Sequence, residues 1–256
     1  MNDFRKLFWA QVPYLTLANM KSRYRKTFAG FIWVVMNPIL LYGAQSLAFK
    51  TFLRLELPNF FTYLLAGLLP WIFIIQTADM ATPLLVTNGH FLKAMKVHPL
   101  VLLLSQVLDN FINFSFAFII LLIPVCFADG VSWHGLFFLP IGLFILISGV
   151  IGMSWLLAIL NIFYRDVRYV VSFLTGVMFF LTPIFYPVSY IPEKYRWMVS
   201  INPFYNLIQP VRSTLYQFDL ENMLKAFGIG LGWSGGLLLL GALYWKKKKN
   251  VIYYHI

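Results

Sequence analysis

The sequence predicts an all-α integral membrane protein with six transmembrane helices, an N-terminal interfacial amphipathic helix, and a re-entrant extracellular hairpin between helices 5 and 6. Three observations lead there. First, of 256 residues 60% are apolar and 11% charged, with a mean hydropathy of +0.75. Soluble domains are roughly 45–50% apolar and about 25% charged, and a body this small cannot hide such a surplus from water. Second, uncharged runs of span length recur along the chain, and about 20 mostly apolar residues suffice to cross the hydrocarbon layer. Third, the cations behind the net charge of +11 stand at the ends of those runs. That placement marks membrane orientation and argues against a nucleic-acid partner.

The chain reads as one transmembrane domain, residues 1–256, opening on a helix over 1–26. Phe4, Leu7 and Phe8 share a face opposite Arg5 and Lys6, Pro13 suits the start of a second short helix, and Lys21, Arg23, Arg25 and Lys26 crowd the approach to the first span. Such a segment lies in the cytoplasmic interface with its cations on lipid phosphates. Those cations either anchor the chain or also steer an anionic, pyrophosphate-bearing lipid substrate toward the bundle through Arg23, Arg25 and Lys26. The basic region and the apolar run behind it are both too long for a cleavable signal.

Spans are expected at 30–49, 57–81, 99–127, 136–163, 169–182 and 226–245. The uncharged stretch over 130–164 is too short for two spans and a turn, so it is one long helix. The fifth span stops at Pro183, about 21 Å long at ~1.5 Å per residue, short of a core of ~30 Å. Pro183, Pro187, Pro192, Pro203 and Pro210 then interrupt residues 183–216. Proline removes a donor and stops helices, so this segment dips back into the outer leaflet, where irregular backbone needs cover from protein or an aqueous cavity. Pro183, Tyr186, Pro187 and Pro203 are placed at such an exit gate.

Residues 88–98 form a short helix between the second and third spans. Phe91, Leu92 and Met95 share a face opposite Lys93 and Lys96, Asn88 caps it, and Pro99 opens the next span. It either lies on the membrane or docks into a groove on a partner. Six spans put both termini on one side, and fourteen of the twenty Lys and Arg fall there; by the positive-inside rule that side is the cytoplasm.

Motifs for bond chemistry are missing. No Gly-Lys dipeptide exists, so no phosphate-binding loop, and no HExxH. His90, His98, His134 and His255 fall in loops or termini, and the single Cys126 permits no intrachain disulfide. No metal, cofactor or Ser/His/Asp site is expected. Asp79 and Asp109 are the only acids inside spans, functional candidates by position. Asp109 sits beside Asn110 and Asn113 and lacks an intramembrane cation, which makes a poor proton relay. Trp, Tyr and Phe make up 19% of the chain. Trp71, Trp133, Trp197 and Trp245 suit interfacial belts, whereas Trp33, Tyr42 and Phe49 along the first span either face lipid or line a channel whose rings stack on sugars.

The motifs resemble those of ABC-2 type exporters of polysaccharides. Arg23-Tyr24-Arg25 … Gly30 … Trp33 … Asn37-Pro38 is similar to their RY-x-x-T-x-x-G-x-x-W-x-x-x-x-P approach to the first span, with Asn37 where Gln is expected. Gly67-Leu68-Leu69-Pro70-Trp71 resembles their second-span signature. Asn88 … Leu92-Lys93 … Pro99 resembles their coupling-helix loop, and Asn161-Ile162-Phe163-Tyr164-Arg165-Asp166-Val167 the close of their fourth span. Thr182-Pro183-Ile184-Phe185-Tyr186-Pro187 … Pro192 … Tyr195-Arg196 … Asn202-Pro203 … Arg212 is similar to their extracellular re-entrant region.

That resemblance implies a permease, not an enzyme, working as a homodimer in the bacterial cytoplasmic (inner) membrane with two separate nucleotide-binding ATPase subunits that hold ATP and Mg. Its cargo would be an undecaprenyl-type lipid-linked polysaccharide, O-antigen first and capsule or teichoic acid as alternatives. The 88–98 helix becomes the lever on the ATPase, through Asn88, Phe91, Leu92, Lys93, Met95 and Pro99. Arg165 and Asp166 form a second contact or an ion pair steadying it, and spans 1 and 5 line the channel at the dimer axis. Two rivals remain: an ion-gradient-driven flippase acting without an ATPase, and an intramembrane transferase using Asp79 or Asp109.

Overall fold

In a computed structural model the chain is described over residues 2–24, 32–48, 57–95, 97–128 and 131–255. Among these residues ten α-helices follow one another: α1 (Asn2–Tyr24), α2 (Ile32–Leu47), α3 (Phe60–Thr87), α4 (Gly89–Met95), α5 (Pro99–Ala128), α6 (Trp133–Phe163), α7 (Val167–Leu181), α8 (Arg196–Ser200), α9 (Pro203–Leu215) and α10 (Leu220–His255). Two short 3-10 turns, Val188–Tyr190 and Glu193–Tyr195, stand between α7 and α8, and no strand occurs among the described residues. Among the described residues, four stretches are long and apolar enough to cross a membrane: Phe60–Thr87, Pro99–Phe127, Trp133–Phe163 and Leu220–Ile252. Helices α2 and α7 have 16 and 15 residues.

The bundle is arranged around α3: Leu64, Leu65, Leu68, Leu69, Trp71 and Ile74 are sealed inside, and α5, α6, α9, α7 and α2 all pack on it. Its neighbour α6 meets α3 and, more extensively, α10. Small residues on α6 admit close backbone approach, as between helices in lipid. Any Cβ on Gly135 or Gly142 would strike the α9 backbone, at Thr214 and Pro210 respectively. Leaving out those two side chains lets α9 lie in the angle between α6, α10 and α3.

Several boundaries differ from the sequence reading. Pro13 lies inside α1, which continues from Asn2 to Tyr24 as one helix. Helix α10 starts six residues before the expected span and carries the lysines at 246–249 as helix, ending at His255. Lysine is a good helix former and is favoured near a helix C-terminus, so the loss of apolar residues ends the span without ending the helix. Within 183–216 the prolines do not prevent helix throughout. Pro203 sits in the first turn of α9, behind the Asn202 cap, and Pro210 lies inside it.

Candidate functional site

Functional features gather at the two ends of α3. At its C-terminal end, Asn88 accepts the Leu92 N–H on its backbone carbonyl at 2.9 Å, which starts α4. Its side-chain amide turns back and donates to the Leu84 carbonyl at 2.9 Å, so it closes α3 and does not cap α4 as expected. On α4, Leu92 is fully buried in this chain's own core, Phe91 is half-buried against that core, and Met95 and Lys93 are exposed. The expected common face of Phe91, Leu92 and Met95 is therefore divided: Leu92 fastens α4 to the bundle, and the outward surface is Met95 with His90 and Lys93. Pro99 is buried at the first position of α5. Arg165 and Asp166 are exposed between α6 and α7; Asp166 holds the α7 N-terminus through its carbonyl, 3.0 Å from the Val170 N–H, and no ion pair joins it to Arg165 among the described residues.

Beside α4, α1 runs along the start of α5. Phe8 meets the His98 ring edge-on at 5.9 Å, and on the other side His98 meets Trp245 of α10 at 5.3 Å. The Ser105 hydroxyl donates to the Val12 carbonyl at 3.1 Å. At the far end of α1 the Arg23 guanidinium donates to Asp109 at 2.6 Å and to the Asn110 side-chain oxygen at 2.9 Å. Asn110 in turn donates to Thr77 of α3 at 3.2 Å. The reading of Asp109 as an acid without a cation is thus corrected: its partner comes from α1. Position along the sequence hid this, because the two residues lie 86 apart. Arg25, Lys26 and Phe49 fall outside the described residues, as does the side chain of Trp33.

At the N-terminal end of α3, Arg212 of α9 is buried and serves as a clasp. It donates to the Pro183 carbonyl at 2.8 Å, the Ile184 carbonyl at 3.2 Å and the Tyr63 hydroxyl at 3.2 Å, with its guanidinium 4.3 Å above the Tyr63 ring. The Tyr63 hydroxyl donates to the Tyr186 carbonyl at 2.6 Å. Asn202 caps α9 by accepting the Phe204 and Tyr205 N–H groups, and its amide donates to Thr182 at 2.9 Å. The 182–187 turn contains Pro183 and Pro187, which forbid regular pairing, and its carbonyls find donors on side chains instead. Any Cβ on Gly67 would run into the Arg212 guanidinium, so glycine there makes room for the clasp. Pro183 is buried; Tyr186, Pro187 and Pro203 are half-buried. Arg212 falls in the segment expected to form the extracellular re-entrant region, and the conjunction of a glycine on a sealed span with one arginine after a proline-rich segment was the available signal for its role.

A groove of about 390 Å³ runs between α2, α3 and α7, walled by Leu41, Trp71, Phe179 and Phe180 with Gln45, Ser172 and Thr175 as its polar members. Tyr42, expected to line a channel, is buried against α3, where its hydroxyl donates to the Phe61 carbonyl at 2.9 Å.

A buried central helix, a short helix fastened across one end and a side-chain clasp closing the other define a polytopic helical membrane protein. Residues 10–216 match the ABC-2 type transporter family, ABC2_membrane, and the chain belongs to that family. It is 28% identical over 228 residues, 86% of this chain and 87% of the relative, to the O-antigen export system permease protein RfbA of Myxococcus xanthus. Two proteins of the same description from Klebsiella pneumoniae are each 30% identical over 198 and 199 residues, 76% of this chain and 75% of each relative.

Proposed function

We propose that this chain is the membrane permease of an ATP-driven exporter that carries a lipid-linked polysaccharide, O-antigen first among the candidates, across the bacterial cytoplasmic membrane. The observation that carries this reading is the similarity to O-antigen export permeases over most of both chains. In this reading α2 and α7 join the four long helices as spans one and five, both termini are cytoplasmic, and residues 183–216 form the re-entrant exit. Two copies pair, and two ATPase subunits holding ATP and Mg press on α4.

Physical features support these assignments. Helix α5 has 30 residues, about 45 Å at ~1.5 Å per residue, against a hydrocarbon core of ~30 Å. Its first ten residues can then stand in the interface, with α1 and the Arg23–Asp109 pair beside them. Sugar rings stack on aromatic faces, and Phe180, exposed beside Gln45 on the α2–α3–α7 groove, offers such a surface. Tyr42 leaves the expected channel-lining set, and Arg23 is taken as the latch of the N-terminal helix; Arg25 and Lys26 keep the proposed lipid-pyrophosphate capture. Asp109, engaged by Arg23, is a poor candidate for a transferase acid.

The test is export in a strain whose own copy of this gene is deleted. Wild type should restore surface polysaccharide and co-purify with an ATPase. Met95→Asp, at an exposed site on α4, should keep folding yet lose export and polysaccharide-stimulated ATP hydrolysis. Export by the chain in the absence of any ATPase would establish the ion-gradient flippase instead.

A further inference from the structure

Helix α10 does not stop where its uncharged run, residues 226–245, ends; it continues as helix from Lys246 to His255. One face of this extension is fastened to the bundle. Trp245 sits between His98 and Trp155, with ring centroids 5.3 and 4.9 Å away. Nζ of Lys248 lies 4.9 Å from the centroid of the Phe163 ring, Ile252 is fully buried, and His255 meets Phe163 at 5.1 Å. The other face is bare. Lys246, Lys247 and Lys249 are exposed and form no ion pair among the described residues. An acid one helical turn away would offset their charge, but α10 holds no Asp or Glu after Glu221. Lys225, near the opposite end, is the contrast: its Nζ stands 2.6 Å from Glu221.

The setting of the three lysines selects the ligand. Side chains three, four or seven residues apart share a helix face, so Lys246 and Lys247 continue the stripe of Leu239, Leu240 and Leu243, which are 59%, 54% and 54% exposed. A stripe that turns leucines to lipid becomes basic within one turn, where acyl chains give way to phosphates. Because the stripe is continuous, the lysines open sideways onto the headgroup layer. Lysine stems lie along apolar surface while the ammonium reaches the polar layer, and clusters of cations immediately beyond a span attract anionic lipids. A zwitterionic headgroup brings an ammonium of its own, which cancels part of that attraction. We infer that the foot of α10 is a binding site for an anionic phospholipid, its phosphate held by Lys246, Lys247 and Lys249 and its acyl chains along Leu239, Leu240 and Leu243. Fastening through Trp245, Lys248 and Ile252 keeps the lysine-bearing backbone in place, so little order is lost on binding. The inference requires only that α10 crosses a membrane and is independent of the cargo.

The full-length chain, purified in a neutral detergent, is titrated with phosphatidylglycerol or with phosphatidylcholine, and bound lipid is counted by native mass spectrometry. Wild type should bind phosphatidylglycerol the more tightly. A lysine beside an anionic surface is worth about fivefold in affinity, so the triple variant Lys246→Gln/Lys247→Gln/Lys249→Gln should weaken phosphatidylglycerol binding about a hundredfold. Replacing the same three lysines by arginine should preserve the binding, and Lys225→Gln, at a lysine already paired, should leave it unchanged. Glycerol phosphate added in equal concentration should not displace the lipid; displacement would show a site for a soluble anion and overturn the inference. Equal binding of the two lipids by the wild type overturns it as well. So does undiminished phosphatidylglycerol binding by the triple glutamine variant, and loss of a co-purifying ATPase from that variant would then assign the lysines to a protein contact.

Discussion

Arg23 and Asp109 are unequal partners: 28% of the arginine side chain is exposed but only 1% of the aspartate. Removing one member of a buried pair costs most when the other is left without water or a counter-charge. Arg23→Ala should therefore destabilise by about 3 kcal/mol, more than Asp109→Asn, since the neutral amide keeps hydrogen-bonding capacity and strands a cation that can still reach solvent. The double variant Arg23→Ala/Asp109→Asn should recover part of the loss, with a coupling of about 1–3 kcal/mol in a denaturation cycle. Additive single effects would show that the pair has no energetic link. At the other end of α3, Arg212→Lys keeps the charge but replaces the planar fork, which meets its acceptors from two separate nitrogens and lies over the Tyr63 ring, by a compact ammonium, and should cost about 3 kcal/mol, with hydrogen bonds to charged groups worth roughly 1.5–3 each. Gly67→Ala presses a methyl on the same guanidinium, and overpacking of this sort costs about 1–3 kcal/mol. Because both changes act on one guanidinium, Gly67→Ala/Arg212→Lys should cost less than the sum, as read from thermal unfolding in detergent.

At the scale of elements, the α4–α5 junction shows how a short helix is kept in place. Seven residues cannot hold a helix by themselves, and α4 relies on Leu92 inside the bundle and on His98 behind it. The His98 Nδ1 accepts the Leu100 N–H at 3.2 Å and so caps α5, while its ring is packed between α1 and α10. Burial holds its pKa below the ordinary histidine value, and protonation would also remove the acceptor for Leu100. Folded His98 thus binds fewer protons than unfolded His98 between the lowered pKa and ~6.5. Its neutral form contributes fully above ~6.5, and stability falls as the pH drops through that window. His98→Asn keeps a capping oxygen and does not titrate. Between pH 7.5 and 5.5 its melting temperature should fall less than that of the wild type, although it starts lower for want of the ring contacts. Parallel curves for the two proteins would show that His98 is not a titrating support.

For the whole molecule, the outward faces differ by helix. Helix α7 buries only Val171 and Thr175 and turns Tyr169, Phe173 and Phe180 outward, while α2 beside it exposes Ile32, Leu40 and Leu47. A homodimer paired along these two helices predicts that Phe173→Cys, in a Cys126→Ser background, forms a disulfide-linked dimer in membranes under mild oxidation. Leu239→Cys, equally apolar in setting but on α10, should stay monomeric on a denaturing gel. The reverse result would place the dimer axis on α10.

The long apolar helices, the short helix after α3 and the proline-broken segment were all legible in the sequence, because span length and proline are local properties that chain position alone reveals. The family motifs likewise lie in order along the chain. What the sequence could not assign was direction. Whether Leu92 points at a partner or inward, whether Tyr42 faces a channel or the Phe61 carbonyl, and which cation meets Asp109 depend on how helices far apart in sequence are rotated against one another. In a chain that is apolar nearly everywhere, hydrophobicity no longer distinguishes inside from outside, since lipid and core look alike to a leucine. The sequence by itself determined that this protein crosses a membrane in helices and belongs to the ABC-2 type transporter family. Only the tertiary structure decided which of its few polar groups are joined, because a buried charge settles where another helix brings it a partner, and that is a property of packing.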